Sequence, residues 1–317
     1  MKVHIVCPAP AGSTKGNRVT AQRWRTLLQE LGHKVVIADG WRGERCDVLL
    51  ALHARKSHAA VRAYRRQHPG APVVVALTGT DVYRDLARSR RARESLQWAT
   101  RLIALHDAIY EALPVEVHAK VSVILQSKRP LLPRPARSAE GVDLCVLGHL
   151  RHEKDPLRAA LALRRKPHLK NVRLVQAGAA LTPRYACWAR AAMRRDPRYR
   201  WVGELPRARA LRLLASSHLL VVSSRMEGGA NVVSEAIVNR VPVLASHIPG
   251  NIGLLGPSYA GYYPAADTQA LADLIERACR DRAFYRELTD AVCALAPRFT
   301  PARERQQLRI LLDSLAE

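Results

Sequence analysis

Aromatic residues make up only 5% of the 317-residue chain, and aromatic residues interleaved with basic ones are scarce. Single-stranded nucleic-acid platforms need that interleaving, so no nucleic-acid partner is expected despite a formal net charge of +24. No run of eighteen apolar residues occurs, so no transmembrane helix is expected. The opening Met1-Lys-Val-His-Ile-Val-Cys7 lacks the long apolar segment and small-residue cleavage site of a signal peptide. It reads as a strand, and a cytoplasmic location is the expectation. The six cysteines, at 7, 46, 145, 187, 279 and 293, form no C-x-x-C pair and read as reduced core residues. Zinc is therefore not expected, and with no D-x-D pair in a plausible loop neither is another metal or a cofactor. Walker spacing and the dinucleotide G-x-G-x-x-G are also missing. The sequence assigns no oligomeric state.

What the chain has is alternation. Hydrophobic residues make up 48% of it, enough for two domains with real cores. Residues 1–127 carry apolar strand-like runs at 2–7, 35–38, 46–53, 72–78, 102–105 and 121–125, with helical spacing at Trp24, Leu27, Leu28 and Leu31. Residues 128–141 hold three prolines and no periodicity, and read as a linker. A second alternation fills 142–299, with strands at 142–149, 172–178, 201–204, 219–222, 242–246 and 259–264. Asp267 reads as the cap of a helix to about Arg280, and terminal helices follow around 282–295 and 303–315. Apolar strands separated by helices argue for α/β architecture with doubly wound, mainly parallel sheets. Such sheets bind ligands outside the carboxyl ends of their strands.

The most informative strand end is at 219–240. A buried-type strand, Leu219-Leu-Val-Val-Ser-Ser224, leads through Arg225-Met-Glu-Gly-Gly-Ala230 into a helix opening at Asn231, with Val232, Val233, Ala236 and Ile237 toward the sheet. Helix starts carry unpaired N–H groups and partial positive charge, which suits phosphate. Glu227 and Glu235 stand eight positions apart, and helical side chains lean toward the amino end. Two carboxylates and a row of amides then suit a ligand with both hydroxyls and phosphates, such as a sugar nucleotide.

Three loops of the first half form another cluster. After its first strand come Gly12, Ser13, Lys15, Gly16, Asn17 and Arg18, an anion cradle in outline. The third strand is followed by His53, Arg55 and Lys56, and the fourth by Thr78, Gly79 and Thr80. All three lie at one sheet edge by topology, so their cations and donors point to a small anion.

The text Ser223-Ser-Arg-Met-Glu-Gly-Gly-Ala-Asn-Val-Val-Ser-Glu-Ala-Ile237 resembles the E-x7-E signature of the GT-B glycosyltransferases, although Asn239-Arg240 stands where Gly often precedes Pro-Val. The resemblance implies two Rossmann-like domains facing across a cleft, with the terminal residues 300–317 packing back at their junction. It implies that Glu227 lies beside the donor sugar, that Glu235 binds the ribose, and that the amides of Gly228, Gly229, Ala230 and Asn231 approach the sugar and diphosphate. Gly148-His-Leu-Arg-His-Glu-Lys154 is similar to the family's G-R-L-x-x-x-K loop. Lys154 then grips the diphosphate. His149 replaces the family Arg, and Arg151 supplies a guanidinium two residues on. Val202, Gly203 and Glu204 occupy the base-contacting position.

The three amino-terminal loops, with Gly253-Leu-Leu-Gly-Pro-Ser-Tyr-Ala-Gly-Tyr262, are similar to the selenosugar synthase (SenB) family of selenoneine biosynthesis. That resemblance covers most of the chain. It implies a carbon–selenium bond formed between a UDP-sugar, UDP-N-acetylglucosamine or UDP-glucose, and selenophosphate. A glycosyltransferase using a hydroxyl acceptor, a sugar-nucleotide epimerase and an anion- or nucleic-acid-binding protein on the same fold remain the alternatives.

Overall fold

The computed structural model describes residues 1–13 and 16–315. The chain divides into two compact units, residues 1–127 with 300–317 and residues 128–299.

Unit 1 runs β1 (Lys2–Val6), α1 (Gly16–Glu30), β2 (Lys34–Ala38), β3 (Val48–Leu52), α2 (His58–Gln67), β4 (Val73–Ala76), α3 (Arg90–Trp98), β5 (Arg101–Ala104) and β6 (Val121–Val123). The strands form one parallel sheet in the order β2-β1-β3-β4-β5-β6. Successive residues of a strand face opposite sides, and β3 is apolar on both. Leu49 and Ala51 join a core with Val61 and Tyr64 of α2, while Val48, Leu50 and Leu52 join one with Trp24, Leu27 and Leu28 of α1. That two-sided burial is why its sequence is a continuous apolar run.

Unit 2 runs β7 (Val142–Leu147), α4 (Arg158–Arg164), β8 (Val172–Ala177), α5 (Pro183–Arg195), β9 (Tyr199–Trp201), α6 (Arg207–Ser216), β10 (Leu219–Val222), α7 (Asn231–Val238), β11 (Val243–Ser246), α8 (Pro249–Leu255), β12 (Tyr262–Tyr263), α9 (Thr268–Arg280) and α10 (Arg282–Leu295). Its parallel sheet has the order β12-β11-β10-β7-β8-β9. Asp267 caps α9, accepting from the Ala270 N–H at 2.9 Å.

The last helix, α11 (Pro301–Asp313), belongs to unit 1. Its Leu308, Leu311 and Leu312 cover the face that holds Trp24. Its buried Glu304 accepts from Trp24 Nε1 at 2.7 Å, Arg23 Nε at 3.1 Å and the Ser127 N–H at 2.8 Å.

Some expectations shift. The strand expected at 201–204 lies at Tyr199–Trp201, because Gly203 turns the chain with φ 72° immediately after it. The segment expected as a linker is not free of structure: Lys128 is buried and packs in unit 2. Cys7 and Cys145 are core residues, but Cys187 is exposed on α5.

Each sheet reverses its winding once. In unit 1 the crossover from β1 to β2 goes one way and the strands from β3 onward go the other, which opens a crevice between the carboxyl ends of β1 and β3. In unit 2 the reversal falls between β7 and β10.

Candidate active site

In unit 2 the loops after β7 and β10 meet at that reversal. The chain leaves β7 through Gly148, makes a 3-10 turn at His152–Lys154, and passes Asp155 in the left-handed region at φ 42°. A non-glycine residue held there costs energy that the surroundings must supply. Arg158 Nε donates to Asp155 Oδ2 at 2.9 Å, and Ser223 Oγ donates to the Lys154 and Asp155 carbonyls at 3.1 and 2.9 Å. The Arg225 N–H donates to the Glu153 carbonyl at 2.8 Å. These bonds lock the two loops together.

Lys154 and Glu227 meet through that lock. Lys154 Nζ forms an ion pair with Glu227 Oε1, and Ser224 Oγ donates to the same oxygen at 2.6 Å. Glu227 is itself pinned from behind, since a Cβ added at Gly250 of α8 would collide with its carbonyl. Gly178 plays a similar part beneath the β7 loop, where a Cβ would strike the Gly148 carbonyl. Gly148, Lys154, Ser223, Ser224 and Val232 line one small cavity, which places the amino end of α7 beside the ion pair. That end has no side-chain cap, so its first amides point outward unpaired by a side chain. The arrangement can receive a diphosphate on amides and an ammonium, with a carboxylate alongside for hydroxyls.

The other expected donor residues fall in three places. Gly228, Gly229 and Ala230 form the turn into α7, and Asn231 opens it. Glu235 is buried within α7 and paired with Arg207 at 3.1 Å. Val202, Gly203 and Glu204 follow β9, where Val202 N–H donates to the Gln176 carbonyl at 2.9 Å. His149 has a buried Nδ1 with no hydrogen-bond partner among the described residues. Arg151 does not join the Lys154–Glu227 pair. Its Nε lies 3.9 Å from Glu153 Oε2 and its side chain is 41% exposed.

Lys128 is a residue that sequence reasoning missed. Its ammonium donates to Asn231 Oδ1 at 2.5 Å, so a buried cation sits at the positive end of α7. Cations are disfavoured there unless an anion is also present. Only its place among prolines hid it.

In unit 1 the expected cluster divides. Lys15 lies outside the described residues. Arg18, in the first turn of α1, keeps a buried Nε without a partner, and Ser13 keeps a buried Oγ likewise, among the described residues. Gly12 turns the loop at φ 76°, and Gly16 and Asn17 open α1.

His53 is not an open loop residue. It is 1% exposed, sits at φ 74°, and places Nε2 3.1 Å from Thr80 Oγ1. Asp85 Oδ2 lies 3.9 Å from its Nε2, and Asp81 Oδ2 4.0 Å from its Nδ1. Burial holds the imidazole below its ordinary pKa despite these acids, so it stays neutral near pH 7. Asp81 organises both loops, accepting from the Thr78 and Ala54 N–H groups at 2.9 Å each. It opens a π-helical turn, Asp81–Asp85, that follows Gly79. Arg55 is committed to Asp85 at 3.0 Å, which Arg84 also meets at 3.0 Å. Lys56, beside it, is exposed.

No three His, Cys, Asp or Glu side chains among the described residues are grouped as a metal site. Among those residues no helix is long and apolar enough to cross a membrane.

The sequence matches the model of the family Glycosyl transferases group 1 over residues 132–292, just over half of the chain. It is 25% identical over 268 residues to glycosyltransferase 1 domain-containing protein 1 of Xenopus tropicalis, covering 76% of this chain and 77% of that one. The fold is similar to HepE of Anabaena solved with UDP and glucose, with a TM-score of 0.77, 17% identity, and coverage of 99% of this chain and 100% of that one. It is equally similar to sucrose-phosphate synthase of Thermosynechococcus elongatus, with a TM-score of 0.79, 16% identity, and coverage of 99% and 98%.

Proposed function

This chain belongs to the group 1 glycosyl transferases, and from that premise we propose that it transfers a sugar from a UDP-sugar to selenophosphate. The observation that carries the donor half is the Lys154–Glu227 pair, held at the winding reversal of unit 2 beside the uncapped start of α7. HepE of Anabaena, similar in fold, has been solved with UDP-glucose. Lys154 and the α7 amides receive the diphosphate. Glu227 orients the sugar hydroxyls, with UDP-N-acetylglucosamine or UDP-glucose as donor. Glu235 takes the ribose, and Val202, Gly203 and Glu204 meet the base.

The acceptor half rests on Arg18 and Ser13, whose buried donors lack partners among the described residues. With Gly12, Gly16, Asn17 and the 53–56 and 78–80 loops they suit a small, highly charged anion. Lys15 is assigned to the same group. The selenium lone pair forms the C1–Se bond as the C1–O bond to the diphosphate breaks. UDP leaves with that bond's electron pair. Selenium is nucleophilic as it stands, so no strong base is needed. Fixed cations at the leaving diphosphate act where charge grows, and so favour the transition state over the ground state. Water then cleaves the P–Se bond, giving inorganic phosphate and the selenosugar.

His53 favours a second reading. A neutral imidazole 3.1 Å from a hydroxyl, with two carboxylates near 4 Å, is the equipment for activating a hydroxyl acceptor. Incubating the protein with each UDP-sugar and selenophosphate, then weighing the products by mass spectrometry, separates the two. A selenium-containing sugar with stoichiometric UDP is expected. UDP release without selenium incorporation rejects the first reading.

A further inference from the structure

Beyond the 53–56 loop, the outer face of α2 carries further cations, Arg62 and Arg66, that with Arg91 of α3 are not used by the transfer reaction. Lys56, Arg62, Arg66 and, from α3, Arg91 line one solvent-open groove of about 430 Å³, with Arg55 also at its wall. Other basic residues of this face are engaged. Arg65 donates to the carbonyls of Pro69 and Trp98 at 2.6 Å each, Arg90 pairs with Glu94 at 2.7 Å, and Arg93 donates to the Leu86 carbonyl at 3.0 Å. Lys56, Arg62, Arg66 and Arg91 meet no acidic side chain among the described residues. Glu94 pairs with His58 of the groove wall and with Arg90, and Asp85 pairs with Arg55.

Four like charges in one concavity repel each other over distances near the Debye length of about 8 Å at physiological salt. Pairing with carboxylates would relieve this, and unit 1 makes such pairs elsewhere. A ligand rich in negative charge relieves it as well, and guanidinium forks fit phosphate oxygens bidentately. From His58 to Arg66 α2 climbs about 12 Å at helical rise, so the charges form a line rather than a point.

The character of the face narrows the ligand. None of the large exposed hydrophobic residues (Met1, Val36, Val115, Leu132, Leu161, Leu181, Trp188, Ile310) lies on α2 or α3, so nothing there would insert into a lipid surface. Trp98 stacks on His58 with ring centroids 5.4 Å apart and so is not a free platform for a base.

We propose that the α2–α3 groove, through Arg62, Arg66 and Arg91, is a further anion site, separate from the donor cradle and from the acceptor group, that binds a linear oligophosphate. Free inorganic oligophosphate and the phosphate tail of a nucleotide share that chemistry.

Titration calorimetry of the full chain with inorganic tripolyphosphate tests this, with ATP as a parallel arm. Tripolyphosphate is expected to bind one to one and to weaken as salt rises. Equal affinity for ATP identifies the phosphate tail as sufficient, whereas tighter ATP binding makes a nucleotide the source. The exposed triple variant Arg62→Glu/Arg66→Glu/Arg91→Glu is expected to lose at least tenfold in affinity, while Lys154→Ala binds tripolyphosphate as the parent does. Arg62→Gln alone gives a smaller loss in the same direction and serves if the triple variant does not fold. Sugar transfer by the Arg62 variant stays at the parent rate. No heat from tripolyphosphate overturns the proposal. So do an unaffected triple variant, loss of the site with Lys154→Ala, and tighter binding to single-stranded RNA or anionic vesicles.

Discussion

The two winding reversals answer the same topological problem with different electrostatics. At β7 and β10 of unit 2 the cation and the acid have found each other: Lys154 pairs with Glu227, Arg158 with Asp155 and Arg207 with Glu235. At β1 and β3 of unit 1 Asp85 is paired with Arg55 and Arg84, while Asp81 turns inward to the Thr78 and Ala54 N–H groups. Asp81 and Asp85 are buried beneath the loops, and Arg18 Nε and Ser13 Oγ are left without partners among the described residues. Both reversals hold a non-glycine residue at positive φ, Asp155 in one and His53 in the other. Strain of this kind persists only where surrounding bonds over-determine it. The difference teaches that unit 2 has a self-supporting frame whose charges are balanced before a ligand enters. The unit 1 reversal presents two buried polar atoms, Arg18 Nε and Ser13 Oγ, that no described residue completes.

The sharpest way to break this contrast is to unbalance the frame. Glu227→Gln removes one charge while keeping shape, and turnover should fall about 100-fold, the scale of losing one aligned polar group at a reacting centre. Steady-state rates with unchanged thermal unfolding check it, and near-parental turnover would take Glu227 out of the chemistry. Lys154→Ala should weaken UDP binding about tenfold to a hundredfold, since it removes an ammonium and leaves Glu227 partly buried and unpaired. Calorimetry with UDP measures this. In unit 1, Arg18→Ala should raise the acceptor KM about tenfold with the donor KM unchanged, as a charged hydrogen bond is lost on one side only. Equal shifts in both constants would erase the division of labour.

A pH experiment tests unit 1 from another side. His106 follows β5, is fully buried, and pairs Nε2 with Tyr83 Oη at 3.2 Å. Burial lowers its pKa to about 4. The folded value lies below the unfolded value, so the unfolded chain binds the proton more tightly between the two. The stability is therefore present above about pH 6.5 and lost as pH falls toward 4, at most about 3 kcal/mol. His106→Asn should flatten the fall in Tm across that window. An unchanged slope would show that other groups govern it. The smallest effect belongs to Arg151→Ala. Its guanidinium is half exposed and near Glu153, so UDP affinity should drop no more than about threefold. A loss matching that of Lys154→Ala would make Arg151 an equal partner in the frame.

The fold was largely legible because parallel strands buried on both faces must be written as unbroken apolar runs, as Val48–Leu52 is. The Glu227 loop was legible for a related reason, since a strand, two glycines and a helix start must be consecutive. The partners of these residues were not. Lys154 and Glu227 are far apart in sequence, and nothing local says which cation the β7 loop will turn inward. Arg55 looked like an open anion holder because its partner, Asp85, closes a π-helical turn that carries no local signature. Lys128 was hidden by prolines that read as a linker, although its ammonium reaches Asn231. The strand expected at 201–204 was displaced because Val202 supplied an apolar residue just past the true end at Trp201.

The buried carboxylate of Glu304 has a consequence for synthesis. It fastens α11 to Trp24, Arg23 and Ser127, and that helix brings Leu308, Leu311 and Leu312 over the α1 side of the first sheet. On the ribosome, residues 1–127 emerge before α11, and until it arrives this side of the sheet is covered by α1 alone. Residues 128–299 contain their whole sheet and can close earlier. The unit translated first is therefore the one that matures last, and it is the unit a nascent-chain chaperone would have to shield.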